Sequence, residues 1–310
     1  MIKNKYLAFL TLVFFIYNTS SISLENKILV KIEDQIITSL DVINEYNYLV
    51  AMNPSIKNSK KEDILKFSKR SIMQERIKKI EIENNFNNPK IPQKIQDQIL
   101  KNIYSKIGFT NLYDFKEYLD NNDINFENVK NKLAIEALWN ELILIKFSSK
   151  VKINKKKLRD KIENNNNKFL KSLLLSEIYF EIKNINELDN KFMEISQVIK
   201  NKGFDFAALE YSLSTTSNFG GKLDWINESS LNKNIIAAIS NLEINEFTKP
   251  IVVPGGFLIL KINEIKNTKI KIDVEKEFKK LEDFEKNYQL NQYSKIYFNR
   301  IKKDLKISEL

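Results

Sequence analysis

The chemistry open to this sequence is limited by two missing residue types, because it contains 0 Cys and 0 His. Thiol nucleophiles, Ser-His-Asp triads, zinc fingers and His-ligated metal sites are therefore excluded. Carboxylates, amines, hydroxyls and amides are the chemical groups that remain. Asp224 and Glu228 lie close together in the sequence, but two carboxylates are weak evidence for a metal site. We expect neither a metal nor another cofactor.

The charge balance is basic, with 50 Lys and Arg against 40 Asp and Glu, a formal net charge of +10. The charges alternate in sign along the chain instead of clustering, which indicates solubility and weak attraction to anionic membrane surfaces. A nucleic-acid partner is not expected, because such proteins concentrate their basic residues. The 310 residues, 43% of them hydrophobic, are enough for two modest domains and a buried core.

The first residues are typical of an export signal. Lys3 and Lys5 precede the uncharged apolar run YLAFLTLVFFIY of residues 6–17, and small polar residues follow. This order predicts a signal peptide over residues 1–23, cleaved near Ser21-Ile22-Ser23. An uncleaved N-terminal anchor is the alternative. Either way we expect export, with stability that comes from packing because no disulfide can form.

Residues 24–168 are predicted to form a helical domain. A strand pair over 28–38 turns at Glu33-Asp34-Gln35, and Thr38 or Ser39 can cap the first helix, with Asp41 in its first turn. The apolar spacing then predicts helices over 60–84, from Pro92, and over 109–119, 125–147 and 154–162. The asparagine run of residues 164–167 breaks this pattern and predicts a domain boundary.

A mixed pattern follows the boundary. Residues 172–182 alternate as a strand, a helix over 186–202 ends at Gly203, and a second helix begins at Phe204. Gly220-Gly221 predicts a turn into a strand that reaches Trp225. We further expect a helix near 231–240, a strand over 256–264, a long helix over 273–303 and a short strand over 305–308. The predicted fold class is α+β.

Four phrases in this second region resemble parvulin-type prolyl isomerase domains. They are SEIYFEI (176–182), KGFDFAALEYSLS (202–214), FGGKLDW (219–225) and TKPIVVPGGFLILKINE (248–264). In addition, VKIEDQIITSLDV (30–42) is similar to the start of SurA-type periplasmic chaperones. The resemblance implies a helical chaperone domain, a parvulin-like domain over 169–268, and a C-terminal helix over 269–310 that packs back on the N-terminal domain.

The resemblance also implies where a peptide site would lie. The family's two histidines fall on Glu177 and Leu258, and its Cys or Asp position falls on Ser214. The residues at its substrate-binding positions are Leu231, Ile235, Val253 and Trp225. The apolar character of the pocket is thus kept, while most of its polar cluster is replaced.

Two functions follow from this substitution pattern. The first is a periplasmic chaperone that holds unfolded exported polypeptides of the outer-membrane type and whose isomerase activity is weak or lost. The second is a working prolyl isomerase that uses a cluster around Glu177 and Ser214. Glu177 itself is either a solvent-facing strand residue or a group of the site, and a one-residue strand slip would decide between them. Leu231 and Ile235 are expected at i and i+4 of one helix, where they either pack in a core or face a ligand pocket.

Ten aromatic residues of the helical region are candidates for client binding, although most must be core. Edge strands of the second region offer another mode, since they can pair with an extended peptide backbone. The candidate aromatic residues are Tyr46, Tyr48, Phe67, Phe86, Tyr104, Phe109, Tyr113, Phe115, Tyr118 and Phe126.

Overall fold

A computed structural model describes residues 26–163, 169–269 and 274–310. The predicted signal segment and the asparagine run of 164–167 lie outside the described residues. Within them, helices and two sheets alternate along the chain, so the α+β prediction is confirmed.

The first sheet joins distant parts of the chain, in the strand order β2-β1-β7. Its strands are β1 (Ile28–Ile32), β2 (Gln35–Thr38) and β7 (Ile307–Glu309). All neighbours are antiparallel, and β1 pairs with both other strands. Thr38 ends the hairpin and caps the next helix, as predicted: its Oγ1 accepts from the Asp41 backbone N–H, while the Asp41 carboxylate accepts from the Thr38 N–H. This reciprocal pair fixes where the first helix begins.

The helical region contains α1 (Ser39–Met52), α2 (Lys61–Asn85), α3 (Gln93–Lys106), α4 (Leu112–Asp120), α5 (Phe126–Phe147) and α6 (Lys155–Glu163). The predicted spans agree to within a few residues. The largest difference is at α4, predicted from Phe109. Helix α4 begins at Leu112 because the Asn111 side chain accepts from the Asp114 N–H and caps it.

A long final helix, α10 (Val274–Asp304), belongs to the same helical core. Trp139 of α5 stacks on Tyr297 at 5.8 Å between ring centroids and donates its indole N–H to Ser294 Oγ at 2.8 Å. Phe147 stacks on Tyr293 at 5.1 Å. These contacts place one face of α10 against α5, while β7 continues from the helix into the first sheet.

The second sheet has the strand order β4-β3-β6-β5, all antiparallel. Its strands are β3 (Phe169–Phe180), β4 (Lys222–Asn227), β5 (Ile251–Val253) and β6 (Gly256–Lys269). Helices α7 (Leu188–Lys202) and α8 (Phe204–Tyr211) cover one face, and α9 (Lys233–Ile239) packs on the other.

Two irregularities in this sheet decide which side chains share a face. On β6, Leu174 pairs with Glu264 but Leu175 pairs with Ile262, so Asn263 is an extra residue. Leu174 of β3 pairs with Trp225 of β4, and Ser176 pairs with Lys222. One residue of β3 therefore lies opposite two residues of β4, Leu223 and Asp224. Such bulges reverse the alternation of the bulged strand beyond the extra residue.

One helix prediction near the sheet is wrong. Leu231 and Ile235 do not lie at i and i+4 of a helix, because Asn232 caps α9 through its side chain, which accepts from the Ile235 N–H. Leu231 precedes this cap with extended backbone angles. Both side chains are nevertheless buried in the same apolar cluster.

Candidate functional site

A cavity of about 300 Å³ lies between the α9 face of the second sheet and three helices, α2, α5 and α10. We call it the sheet–helix cavity. Its sheet side is formed by the four strands, α9 and the segment 213–216, and its opposite side is formed mostly by α10. The volume is at the lower end of that found for ligand pockets.

The wall on the sheet side is apolar. Eight aliphatic side chains line it and pack in one cluster, with Phe284 of α10 against them: Leu175, Leu223, Ile226, Leu231, Ile235, Val253, Leu258 and Leu260. A wall of this composition can receive an apolar or prolyl side chain, because burying such a side chain removes its surface from water.

A polar cluster lies beside this wall, centred on the carboxylate of Glu177. The hydroxyls of Ser214 and Thr216 donate to Glu177 Oε1 at 2.5 and 3.0 Å, and the two hydroxyl oxygens are 3.1 Å apart. All three residues line the cavity. The cluster therefore places a hydrogen-bonded carboxyl group at the edge of the apolar wall.

Backbone contacts position this cluster, and they account for two of the sequence phrases. The Glu177 N–H donates to Gly221 O at 2.8 Å. A Cβ on Gly221 would lie 2.2 Å from Glu177 O, and its φ is +73°, so only glycine fits there. The buried Ser212 Oγ accepts from the N–H groups of Tyr179 and Ser214 at 3.1 and 3.2 Å. The glycine pair and Ser212 therefore hold segment 212–216 against β3.

Helix α10 brings a lysine to the opposite side. The Lys295 ammonium lies 3.6 Å from the centroid of the Tyr179 ring. Burial lowers the pKa of Lys295, while the carboxylates of Glu177 and Glu181 oppose that shift. The Tyr179 hydroxyl donates to Gly255 O at 2.6 Å, and burial raises its pKa. Asn299 of α10 donates to Glu181 at 2.7 Å.

The structure brings together six of the seven side chains that the sequence selected. Those that line the sheet–helix cavity are Glu177, Ser214, Leu258, Leu231, Ile235 and Val253. Trp225 does not line it: the ring is 44% exposed. The bulge on β4 explains this, since it puts Leu223 and Ile226 on the cavity face. Asp224 lies outside the cavity lining and forms an ion pair with Lys106 of α3 at 3.1 Å.

Thr216, Tyr179 and Lys295 are among the cavity residues that sequence reasoning missed. Thr216 lies two residues after Ser214, so its hydroxyl could have been included with the same segment. Tyr179 shares the strand face of Glu177, which the alternation of β3 already indicated. Lys295 gave no local signal, because only the packing of α10 over the second sheet brings it to the cavity.

The chemistry of this arrangement is binding of an apolar side chain next to a hydrogen-bonded carboxylate and an ammonium. Across residues 26–163, 169–269 and 274–310, no three acidic side chains gather as a cation site. In the same three ranges, none of the helices is both long enough and apolar enough to cross a bilayer.

The sheet side of the cavity lies in a region that matches a known family model. Residues 173–264 match the model of the Rotamase family, the PPIC-type PPIASE domain. The parvulin resemblance predicted for residues 172–266 is thereby confirmed.

Curated relatives extend the likeness beyond that domain. The chain is 20% identical to Chaperone SurA of Pseudomonas putida over 181 residues, which cover 54% of this chain and 41% of the relative. It is 36% identical to Chaperone SurA of Pseudomonas aeruginosa over 73 residues, 23% of this chain and 17% of the relative. The chain thus spans less than half the length of these relatives. It is SurA-like, with a PPIC-type domain.

Solved structures that match this chain superpose on it with low TM-scores. PrsA from Bacillus anthracis, titled a peptidylprolyl isomerase, is 19% identical with a TM-score of 0.33, over 74% of this chain and 95% of that one. A structure from Campylobacter jejuni, titled as that of SurA-like chaperones, is 18% identical with a TM-score of 0.28, over 69% and 84%.

Proposed function

We propose that this protein is a chaperone that holds unfolded exported polypeptides in the periplasm, including clients of the outer-membrane type. Its PPIC-type domain would bind apolar or prolyl segments of these clients and accelerate proline isomerisation weakly or not at all. The similarity to SurA supports the holding function, and the sequence order of residues 1–23 supports export.

The observation that carries this proposal is the composition of the sheet–helix cavity. An apolar wall that can take a client side chain is present, but the Leu258 side chain is part of that wall, at one of the family's histidine positions. Glu177 occupies the other. An isomerase must lower the barrier to rotation about the X–Pro bond, about 18–20 kcal/mol, by stabilising the twisted amide. A single carboxylate that accepts two hydroxyl hydrogen bonds provides little stabilisation of that twisted amide.

A second function is favoured by one feature of the same site. The short hydrogen bond between Ser214 and Glu177, with Thr216 beside it and the Lys295 ammonium opposite, is an ordered polar group next to an apolar pocket. Ordered dipoles can stabilise charge that develops as an amide loses resonance. A prolyl isomerase that works without histidine would use this cluster.

A protease-free isomerisation assay on a proline tetrapeptide separates the two functions. It would use the chain from Leu24 onward, together with Glu177→Ala and the double variant Glu177→His, Leu258→His. An aggregation assay with an unfolded outer-membrane protein would run at the same protein concentrations. We expect suppression of aggregation without measurable acceleration of isomerisation.

Each variant adds a distinct outcome. Activity gained by the double variant would indicate that the apolar wall still seats proline. Acceleration by the unmodified chain that is lost in Glu177→Ala would establish the second function instead. Failure to suppress aggregation at any concentration would overturn the chaperone proposal.

A further inference from the structure

Cationic side chains outnumber carboxylates in the lining of the sheet–helix cavity. Four cationic side chains line it, against the one carboxylate of Glu177: Arg70, Lys78, Lys295 and Lys302. Glu177 already accepts hydrogen bonds from Ser214 and Thr216, and the four cations outnumber its single carboxylate. The question is which of these cations is available to a ligand.

Two of the four are held by the fold. Arg70 donates to the carbonyl oxygens of Leu209 and Glu210, at the C-terminal end of α8, where cations stabilise a helix. Lys78 forms an ion pair with Glu136 at 2.6 Å. Neither side chain can turn to a ligand without breaking these contacts.

The other two lie on α10 and lack such partners. Among the described residues, no carboxylate is within ion-pair distance of Lys295 or Lys302, and neither ammonium donates a hydrogen bond. They are seven residues apart, which places them on one face of the helix about 10 Å from each other. Lys302 is exposed, whereas Lys295 is partly buried over Tyr179.

The environment of Lys295 keeps its donors open. The carboxylates of Glu177 and Glu181 attract the ammonium from beyond ion-pair distance, and the Tyr179 ring contacts it from below. The N–H donors of this partly buried ammonium thus have no carboxylate or carbonyl acceptor among the described residues. A ligand that supplied an anionic acceptor would satisfy them.

On the basis of the proposed peptide-binding function, we propose that Lys295 makes the cavity select segments with an acidic residue next to the bound apolar or prolyl residue. The apolar side chain packs against Leu231 and Leu258, and the neighbouring carboxylate accepts a hydrogen bond from the Lys295 ammonium. Charge-assisted hydrogen bonds are stronger than neutral ones, so this contact discriminates between a carboxylate and an amide. Lys295 is then a specificity-determining residue contributed from outside the PPIC-type domain.

Fluorescence anisotropy with two dye-labelled octapeptides tests this selection. The peptides differ only in a glutamate or a glutamine directly before a proline–leucine pair. We expect the unmodified protein to bind the glutamate peptide about tenfold more tightly, the size of one charge-assisted hydrogen bond. In Lys295→Met, which keeps the apolar stem over Tyr179, this difference disappears; in Lys295→Arg it persists.

A matched control is available on the same helix. Lys286 is exposed and does not line the cavity, so Lys286→Met lowers the net charge equally and leaves the preference intact. A preference that survives in Lys295→Met, or an equal loss of affinity for both peptides, would overturn the role of Lys295.

The proposed function fails in a different way. If the unmodified protein suppresses aggregation and binds both peptides equally, only the selection by Lys295 is wrong. If it neither binds the peptides nor suppresses aggregation, the chaperone proposal and this inference are wrong together.

Discussion

Lys132 and Lys295 are both partly buried, and their surroundings differ. Lys132 of α5 lies in the helical region, 2.8 Å from Glu45 of α1 and in contact with Glu75 of α2. Burial alone would lower its pKa, but the two carboxylates outweigh that effect and raise it. Lys295 in the sheet–helix cavity has no such partner among the described residues, and burial lowers its pKa.

The comparison separates a charge that holds the fold together from one that is open to a ligand. Glu45 is almost wholly buried, its pKa is raised by burial, and it also accepts from Ser71 at 2.6 Å. The Glu45–Lys132–Glu75 group therefore joins three helices. Burial of an ammonium without a carboxylate partner costs free energy, and the Lys295 ammonium is open to an anionic ligand that would offset this cost.

Lys132→Met should give the largest change in stability. It leaves two carboxylates in the helical core without their cation, and breaking a buried pair on one side costs about 3–5 kcal/mol. Urea unfolding followed by circular dichroism measures the loss.

Lys130→Met is the control for that experiment. Lys130 lies on the same helix and pairs with the exposed Glu127, so its loss should change the free energy of unfolding by less than about 1 kcal/mol. Similar effects of the two substitutions would contradict the structural role assigned to Lys132.

Tyr179→Phe should have an intermediate effect. The ring that supports Lys295 is kept, but the hydroxyl that donates to Gly255 O is removed, and a buried hydrogen bond contributes about 1 kcal/mol. Peptide selection by Lys295 should persist while the urea midpoint falls. Loss of the glutamate preference in this variant would indicate that the tyrosine hydroxyl, and not the ring, orients the ammonium.

Lys295→Met should be more stable than the unmodified protein at pH 7, because it removes a buried, unpaired charge. The pKa of Lys295 is lower in the folded state than its ordinary value of 10.5. Between those two values the unfolded chain binds more protons, so the stability of the unmodified protein rises with pH.

The difference in the free energy of unfolding between Lys295→Met and the unmodified protein should therefore decrease as pH rises from the folded-state pKa of Lys295 towards 10.5. Urea unfolding at pH 7, 8, 9 and 10 would follow it. A gap of constant size over a range that spans the titration, or a variant less stable at pH 7, would mean that Lys295 is paired in solution.

The smallest effect is expected for Lys106→Met. Its ion pair with Asp224 connects α3 to the second sheet, but both side chains are more than half exposed, so the pair contributes less than about 1 kcal/mol. A larger loss would show that contact between the helical region and the sheet depends on this pair.

Local patterns predicted the elements well, because caps and periodicity act over a few residues. The Thr38 cap, the end of α7 at Gly203 and the strand start at Gly256 all depend on neighbours in sequence. The helix expected to include Leu231 was wrong for an equally local reason, since Asn232 offered a better cap.

What could not be predicted depends on contacts between distant segments. The face on which Trp225 lies follows from a bulge that the alternation of β4 does not reveal. The neighbours of Glu177 could be named from the 212–216 segment. Lys295 lies 118 residues beyond Glu177 in the sequence, so no local pattern connects the two. Helix α10 presents one face to α5 and another to the cavity, so its pattern has no single apolar stripe.

The register of the second sheet has a consequence for protein engineering. Phe169 at the start of β3 pairs with Lys269 at the end of β6, so the chain enters and leaves the sheet at points roughly 5 Å apart, the usual spacing of paired strands. A whole unit could be excised here and its ends rejoined by a short linker, or a foreign domain with adjacent termini grafted in its place.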